Sequence, residues 1–261
     1  MRLVAICCMA ASTRVLDQLT RLASLCMFTY SCRSSTQPVI VEHTTNKVSS
    51  SGTLGLVADA TVDVMGLDGQ GGWVRCNVLA VGGGAMIGSM LRQLFNSGDD
   101  WGFRHQSGDT GSHTGLRLLE PYEFSILELR DHDQQMQISR TTPLVWRDTR
   151  TLRQGEALSL FSSPFGALSP QTFLNSVTTG VVSNVVQNVD NTDAMLVLTD
   201  ARCLPCSEGG PVVDDSGELI GLILPPLERQ TGQTVGFTPI LPMVCLQPFL
   251  EAVETTRRCV A

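Results

Sequence analysis

Leu198 to Leu224 reads LTDARCLPCSEGGPVVDDSGELIGLIL, and the fold class follows from this stretch. Its centre, Ser207-Glu208-Gly209-Gly210-Pro211, sets two glycines ahead of a proline. Glycine gives a tight turn its backbone freedom, so Gly209 and Gly210 are expected to form the turn. Val212 and Val213 begin a strand, Asp214-Asp215-Ser216-Gly217 reads as a hairpin turn, and Glu218 to Leu224 returns as a second strand. From Leu158 onward, further strands recur at short intervals, with turns at Pro164-Phe165-Gly166 and Asn188 to Asp193. No helical pattern alternates with them, so the chain reads as all-β rather than as a parallel βαβ array.

The same residues carry a family resemblance. Ser207-Glu208-Gly209-Gly210-Pro211 is similar to the nucleophile loop of trypsin-like serine proteases. Phe161-Ser162-Ser163-Pro164-Phe165-Gly166 and Val177-Thr178-Thr179-Gly180-Val181-Val182-Ser183 resemble second-barrel segments of the HtrA-like branch. Thr199-Asp200-Ala201 and Val235-Gly236-Phe237 resemble that branch's flanking strands. The resemblance runs from about Val81 to Ala252 and is most specific from Ser162 to Leu224. It implies a trypsin-like double β-barrel with a few short helices, the second barrel well formed and the first degenerate. The boundaries it implies are a variable segment over 1–37, a first barrel over 38–142, and a second barrel with a closing helix over 143–255.

Aligned on Gly-Gly-Pro, the nucleophile position holds Glu208. A carboxylate cannot take the hydroxyl's part in serine-protease acyl transfer. The triad acid position of the resemblance falls at Glu123, ahead of the strand Phe124 to Leu129. His43, His105, His113 and His132 are the available bases, and none has the small-residue, strand-end context the family's base occupies. Cys206 stands in the oxyanion loop where the family carries glycine, which disfavours aiming the amides inward. Ser207 would serve only after a one-residue slip that breaks the Gly-Gly-Pro register. Arg202 falls at the base of the family's specificity pocket: it either fills that pocket as an ion pair with Glu208 or points to solvent. No catalytic set is intact on this reading.

Other features read more plainly. Cys203-Leu204-Pro205-Cys206 is a C-x-x-C without the further ligands a zinc site needs, and it lies outside a thioredoxin-like βαβ context. Asp214-Asp215 and Asp131-His132-Asp133 read as turn and surface residues, so no metal and no cofactor is expected. Gly82-Gly83-Gly84 lacks a dinucleotide fingerprint and reads as a loop. Ala85 to Phe95 reads as a short helix, and Asn96 to Gly115 as an exposed polar loop. Of 261 residues, 43% are apolar and 16% charged, enough for a packed core. The net charge of −7 offers no basic stripe for phosphates, which argues against a nucleic-acid partner. Nine cysteines without a framework fit a reducing compartment. Met1 to Phe28 reads as a mitochondrial-type presequence, a signal-like segment or an amphipathic helix of the fold. Its apolar run is too short to span a membrane.

Within the family, the resemblance is to the amino-terminal half of peroxisomal processing proteases. It implies a non-catalytic portion of a serine endopeptidase that trims leader peptides from imported matrix proteins. The implied partners are a carboxyl-terminal catalytic half and, as substrates, peroxisomal matrix proteins. The implied location is the peroxisome matrix for the full-length protein. The chain is expected to be a fragment without the family's carboxyl-terminal targeting tripeptide, which leaves cytoplasm or mitochondrion as alternative locations. A free-standing, protease-like binding module is the competing reading.

Overall fold

The computed structural model describes the strands that precede residue 130, together with Ser89, Gln93 and Leu94. It then describes 145–164, 169–173, 176–188, 190, 192–204, 207–229 and 234–260. The early strands are β1 (Leu3–Cys8), β2 (Cys26–Phe28), β3 (Gly55–Leu56), β4 (Thr61–Met65), β5 (Trp73–Gly82), β6 (Trp101–Phe103) and β7 (Glu123–Leu129). All except β6 form one sheet in the order β2-β1-β7-β5-β3, with β4 also on β5. Among the described residues this sheet stays open. β1 runs parallel to β7, with Ile6 opposite Ser125 and Leu127 opposite Cys8. The helix weighed for the first segment is therefore corrected over Leu3 to Cys8. Leu-Val-Ala-Ile-Cys-Cys is a short apolar run with β-branched members, which suits a strand once a partner edge is present.

The later strands are β8 (Ala157–Ser162), β9 (Ser176–Gln187), β10 (Ala194–Thr199), β11 (Pro211–Asp214), β12 (Leu219–Ile223), β13 (Leu227–Arg229) and β14 (Thr238–Pro242). Six of them close into a barrel in the order β10-β14-β12-β11-β8-β9, every neighbouring pair antiparallel. Closure leaves the six strands no free edge, which suits an all-β chain of short strands. β8 shows the period-2 rule directly: Leu158 and Leu160 point inward at 1% exposure, while Phe161 faces out. With Val182, Val197, Val212, Ile220 and Ile240 they fill the barrel interior.

A second core lies between the barrel and the closing helix. Besides α1 (Pro170–Phe173), the chain forms α2 over Met243–Val260. Met243, Leu246, Phe249 and Leu250 recur at helical spacing and pack against Leu196, Leu219, Leu222 and Leu241. The expected closing helix, Phe249 to Thr255, is thus longer at both ends. Pro248 sits inside it and removes one backbone bond, but the turn before it is held by Met243 and Leu246 in the core. Ala80 of β5 and Leu94 join the same cluster, so the early sheet and the barrel share apolar contact. Helical backbone occurs at Ser89, Gln93 and Leu94, within the helix read over Ala85 to Phe95. No helix among the described residues is long and apolar enough to cross a membrane.

Candidate functional site

The loop from Thr199 to Pro211 leaves β10 and returns as β11, and its first residues are fastened on two sides. Thr199 is fully buried, and its hydroxyl accepts from the Ala201 amide at 3.1 Å. The Ala201 carbonyl accepts from the Thr238 hydroxyl of β14 at 2.7 Å. Asp200 accepts from the Val181 amide of β9 at 2.7 Å, and the Thr178 hydroxyl donates to the Arg202 carbonyl at 3.0 Å. Short polar side chains here do what a regular ladder does elsewhere, satisfying backbone groups where the chain leaves its strand.

The far side of the loop is a tight turn pressed against β12 and β8. Gly209 has φ +84°, a left-handed conformation that side chains resist, and its amide donates to the Ile223 carbonyl at 2.8 Å. Ile223 in turn donates to the Gly210 carbonyl at 2.9 Å, and Gly210 donates to the Ser207 carbonyl at 3.1 Å. A β-carbon on Gly210 would collide with the Phe161 carbonyl of β8. Both glycines are buried.

Four side chains meet at the centre. Ser207 is 1% exposed, and its hydroxyl lies 3.1 Å from that of Ser162. It also bonds the Cys203 thiol, which is free and half-buried. Burial pushes that thiol up to about 12, the negative charge of Glu208 adds to the rise, and the Ser207 hydrogen bond opposes it. Glu208 itself is half-buried at the tip of the turn. The arrangement holds a carboxylate where Gly-Gly-Pro would present a nucleophile, above a serine already engaged within the fold. Among the described residues of the loop, the Ser207 hydroxyl is buried and the Cys203 thiol is held in its protonated form.

Arg202 is exposed and Glu208 half-buried. The Arg202 carbonyl is held by Thr178 on β9, and its neighbour Ala201 is buried and held by Thr238. Glu123 begins β7, in the open sheet, with its backbone paired to Leu3. Cys206, the four histidines and Asp131-His132-Asp133 lie outside the described residues. Sequence reasoning missed Ser162 as a partner of Ser207, because a serine beside a Ser-Pro turn carries no signal of a contact 45 residues away. It read Asp214 as a turn residue, and Asp214 does accept from the Ser216 and Glu218 amides at 2.8 and 2.9 Å. Its additional ion pair with Arg147 at 3.3 Å went unforeseen.

Comparison with known proteins agrees with this loop's likeness. A trypsin-like peptidase domain model matches residues 95–222. The human peroxisomal leader peptide-processing protease is 37% identical over 117 residues, 44% of this chain and 19% of that protein. The serine protease Do-like HtrB of Bacillus subtilis (strain 168) is 30% identical over 110 residues, 40% of this chain and 23% of that protein. Among solved structures, the HtrA-type protease AlgW with decapeptide aligns over 52% of this chain and 38% of its own, at 21% identity and a TM-score of 0.38. The matched stretch thus spans less than a quarter of the length of either curated relative.

Proposed function

We propose, for a chain whose relatives are trypsin-like serine peptidases, that it serves as a non-catalytic portion of a peroxisomal serine endopeptidase that processes leader peptides. The observation that carries this reading is the site loop itself. Its turn is built as a nucleophile turn, with Gly209 at φ +84° and Gly210 against β8, yet the residue it presents is Glu208. Ser207, the nearest hydroxyl, is buried and bonded to Ser162 at 3.1 Å. The peroxisomal setting and the leader-peptide substrates rest on the name of the human relative. The partnership with a separate working half rests on the small share of that relative which the matched stretch covers, 19%.

A fluorophosphonate probe reports an activated serine whatever the peptide preference. The natural chain is expected to remain unlabelled while a trypsin control labels fully. Stoichiometric labelling of the natural chain would overturn the reading and return Ser207 to the catalytic role.

A further inference from the structure

β9 is longer than either of its neighbours, and its two halves are held differently. Gln187 to Val182 lie against β10, while Val181 to Ser176 lie against β8. Past Thr199 the chain drops beneath β9. Asp200 takes the Val181 amide, and a β-carbon on Gly180 would collide with the Ala201 amide. The Thr178 hydroxyl holds the Arg202 carbonyl on the same inner side. Among the described residues, 176–180 are therefore left with no strand on the β10 side.

Alternation fixes what that edge offers. Val182 turns its amide and carbonyl toward β8, bonding Glu156 and Gly155. Val177, Thr179 and Val181 have the opposite parity, so their backbone groups face the open side. The side chains of all three are exposed. Val177 is 50% exposed and opposes Phe161, itself exposed, so an apolar row ends at the open edge. Natural edges are ordinarily blunted by charges or prolines, and 176–183 contains neither. Only the Val181 end is capped, by Asp200.

We propose that this edge pairs with its counterpart on a second copy of the chain, antiparallel and centred on Thr179. The outward residues read Val-Thr-Val, the same in both directions, as a two-fold contact between identical surfaces requires. In this register Val177 of each copy meets Val181 of the other, and the Thr179 residues exchange amide and carbonyl bonds. Charge agrees with the register. Asp200 stands level with Val181, and the Arg202 carbonyl level with Thr178. The two-fold thus sets the exposed Arg202 of each copy beside the exposed Asp200 of the other. A contact of this size is weak and concentration-dependent.

The central pair gives a register-specific test on the full chain. Opposed, bond-exchanging residues of an antiparallel pair have Cα atoms about 5.5 Å apart, within disulfide reach. Thr179→Cys is expected to form a covalent dimer on mild oxidation, above the background of the natural chain. Val177→Cys alone is expected not to, but to cross-link when mixed with Val181→Cys. In sedimentation, Arg202→Glu is expected to weaken self-association about tenfold, by losing two exposed ion pairs and adding repulsion. Thr179→Pro removes an N–H on the open side only and is expected to abolish the dimer. Should proline disturb the thermal unfolding transition, Arg202→Glu carries the comparison. Equal cross-linking by Thr179→Cys and Val177→Cys alone would overturn the proposal, since the contact would have no register. A natural chain that stays monomeric up to its solubility limit would overturn it too, and would leave the edge to another protein. Self-association untouched by Arg202→Glu and Thr179→Pro would place the contact elsewhere and overturn it as well.

Discussion

The hydroxyls of Ser207 and Ser162 lie 3.1 Å apart across the seam between the site loop and β8, with Ser207 1% exposed. A serine so placed holds the loop down and does not face a substrate. Ser207→Ala removes the hydroxyl that bonds both Ser162 and Cys203, which costs about 1 to 2 kcal/mol. Urea unfolding is expected to shift by that amount. Fluorophosphonate reactivity is expected not to change.

The two glycines of the turn should respond differently to alanine. At Gly209 the difficulty is the left-handed backbone, φ +84°, worth about 1 to 2 kcal/mol for a residue with a β-carbon. At Gly210 the added carbon meets the Phe161 carbonyl, a backbone atom that cannot rotate away. Its cost is expected to exceed that of Gly209→Ala and to reach about 3 kcal/mol, through forced separation of the loop from β8. Thermal unfolding of the two variants ranks them. A smaller shift for Gly210→Ala would show that β8 gives way easily.

Much of this loop was legible in the sequence because its signals are local. Gly209, Gly210 and Gly217 announce turns by needing backbone freedom, and Val212-Val213 announces a strand by its side chains. The closed barrel was legible for the same reason, as strands and turns in regular succession. Two kinds of fact were not legible. Contacts between distant serines, or between Arg147 and Asp214, depend on register across the barrel, which no short window encodes. The strand Leu3–Cys8 was obscured because a short apolar run fits helix or strand until a partner edge exists. The direction of Arg202 was open in the sequence for a related reason: only the bond from Thr178 to its carbonyl shows which way the backbone turns.

Cys203 and Cys245 make stability fall at alkaline pH. Burial pushes each thiol from 9.0 up to about 12, with the charges of Glu208 and Asp193 adding to the rise at Cys203 and Cys245 respectively. A raised folded pKa favours the uncharged thiol, so the contribution is fully present below the unfolded value. It is lost as pH rises from about 9 toward about 12, because the unfolded chain releases its protons first. Chemical unfolding at a series of pH values is expected to show this decline. Each of Cys203→Ala and Cys245→Ala should flatten it, by roughly 1 kcal/mol per pH unit within that window. Iodoacetamide should modify both thiols slowly at pH 8 in the folded chain and quickly in denaturant.

Arg147 ties the stretch before the barrel to the β11–β12 hairpin. Its guanidinium reaches Asp214 at 3.3 Å, Glu156 at 3.4 Å and Glu218 at 3.8 Å. Its amide donates to the Leu219 carbonyl at 2.9 Å. Only Asp214 is deeply buried, with 7% side-chain exposure, and it keeps two backbone donors without the arginine. Arg147→Met should therefore cost about 2 kcal/mol, less than the loss of a wholly buried pair and more than a surface one. The deficit is expected to shrink in high salt, since the partly exposed Glu156 and Glu218 contacts are screened in the natural chain. A change below about 0.5 kcal/mol would place the clamp among ordinary surface charges.

Restoring a serine at the nucleophile position should not restore a protease. Acyl transfer by a triad needs nucleophile, base and oxyanion donors together, and losing one central member already costs on the order of a millionfold. In this loop the amides of Ser207, Gly209 and Gly210 bond to Leu204, Ile223 and Ser207, while the family's pair of oxyanion donors falls at Cys206 and Glu208. Cys206 occupies the glycine position of the oxyanion loop, and no histidine has the sequence context of the base. Glu208→Ser also removes the charge that helps raise the Cys203 thiol, so alkylation of Cys203 should become somewhat faster. A cooperative unfolding transition like that of the natural chain shows that the substitution was made in a folded loop. Fluorophosphonate labelling of the Glu208→Ser chain is expected to stay at background while Cys203 alkylation rises. Stoichiometric labelling instead would mean that one of His43, His105, His113 and His132 does reach the loop as a base, and that a single carboxylate keeps this site silent.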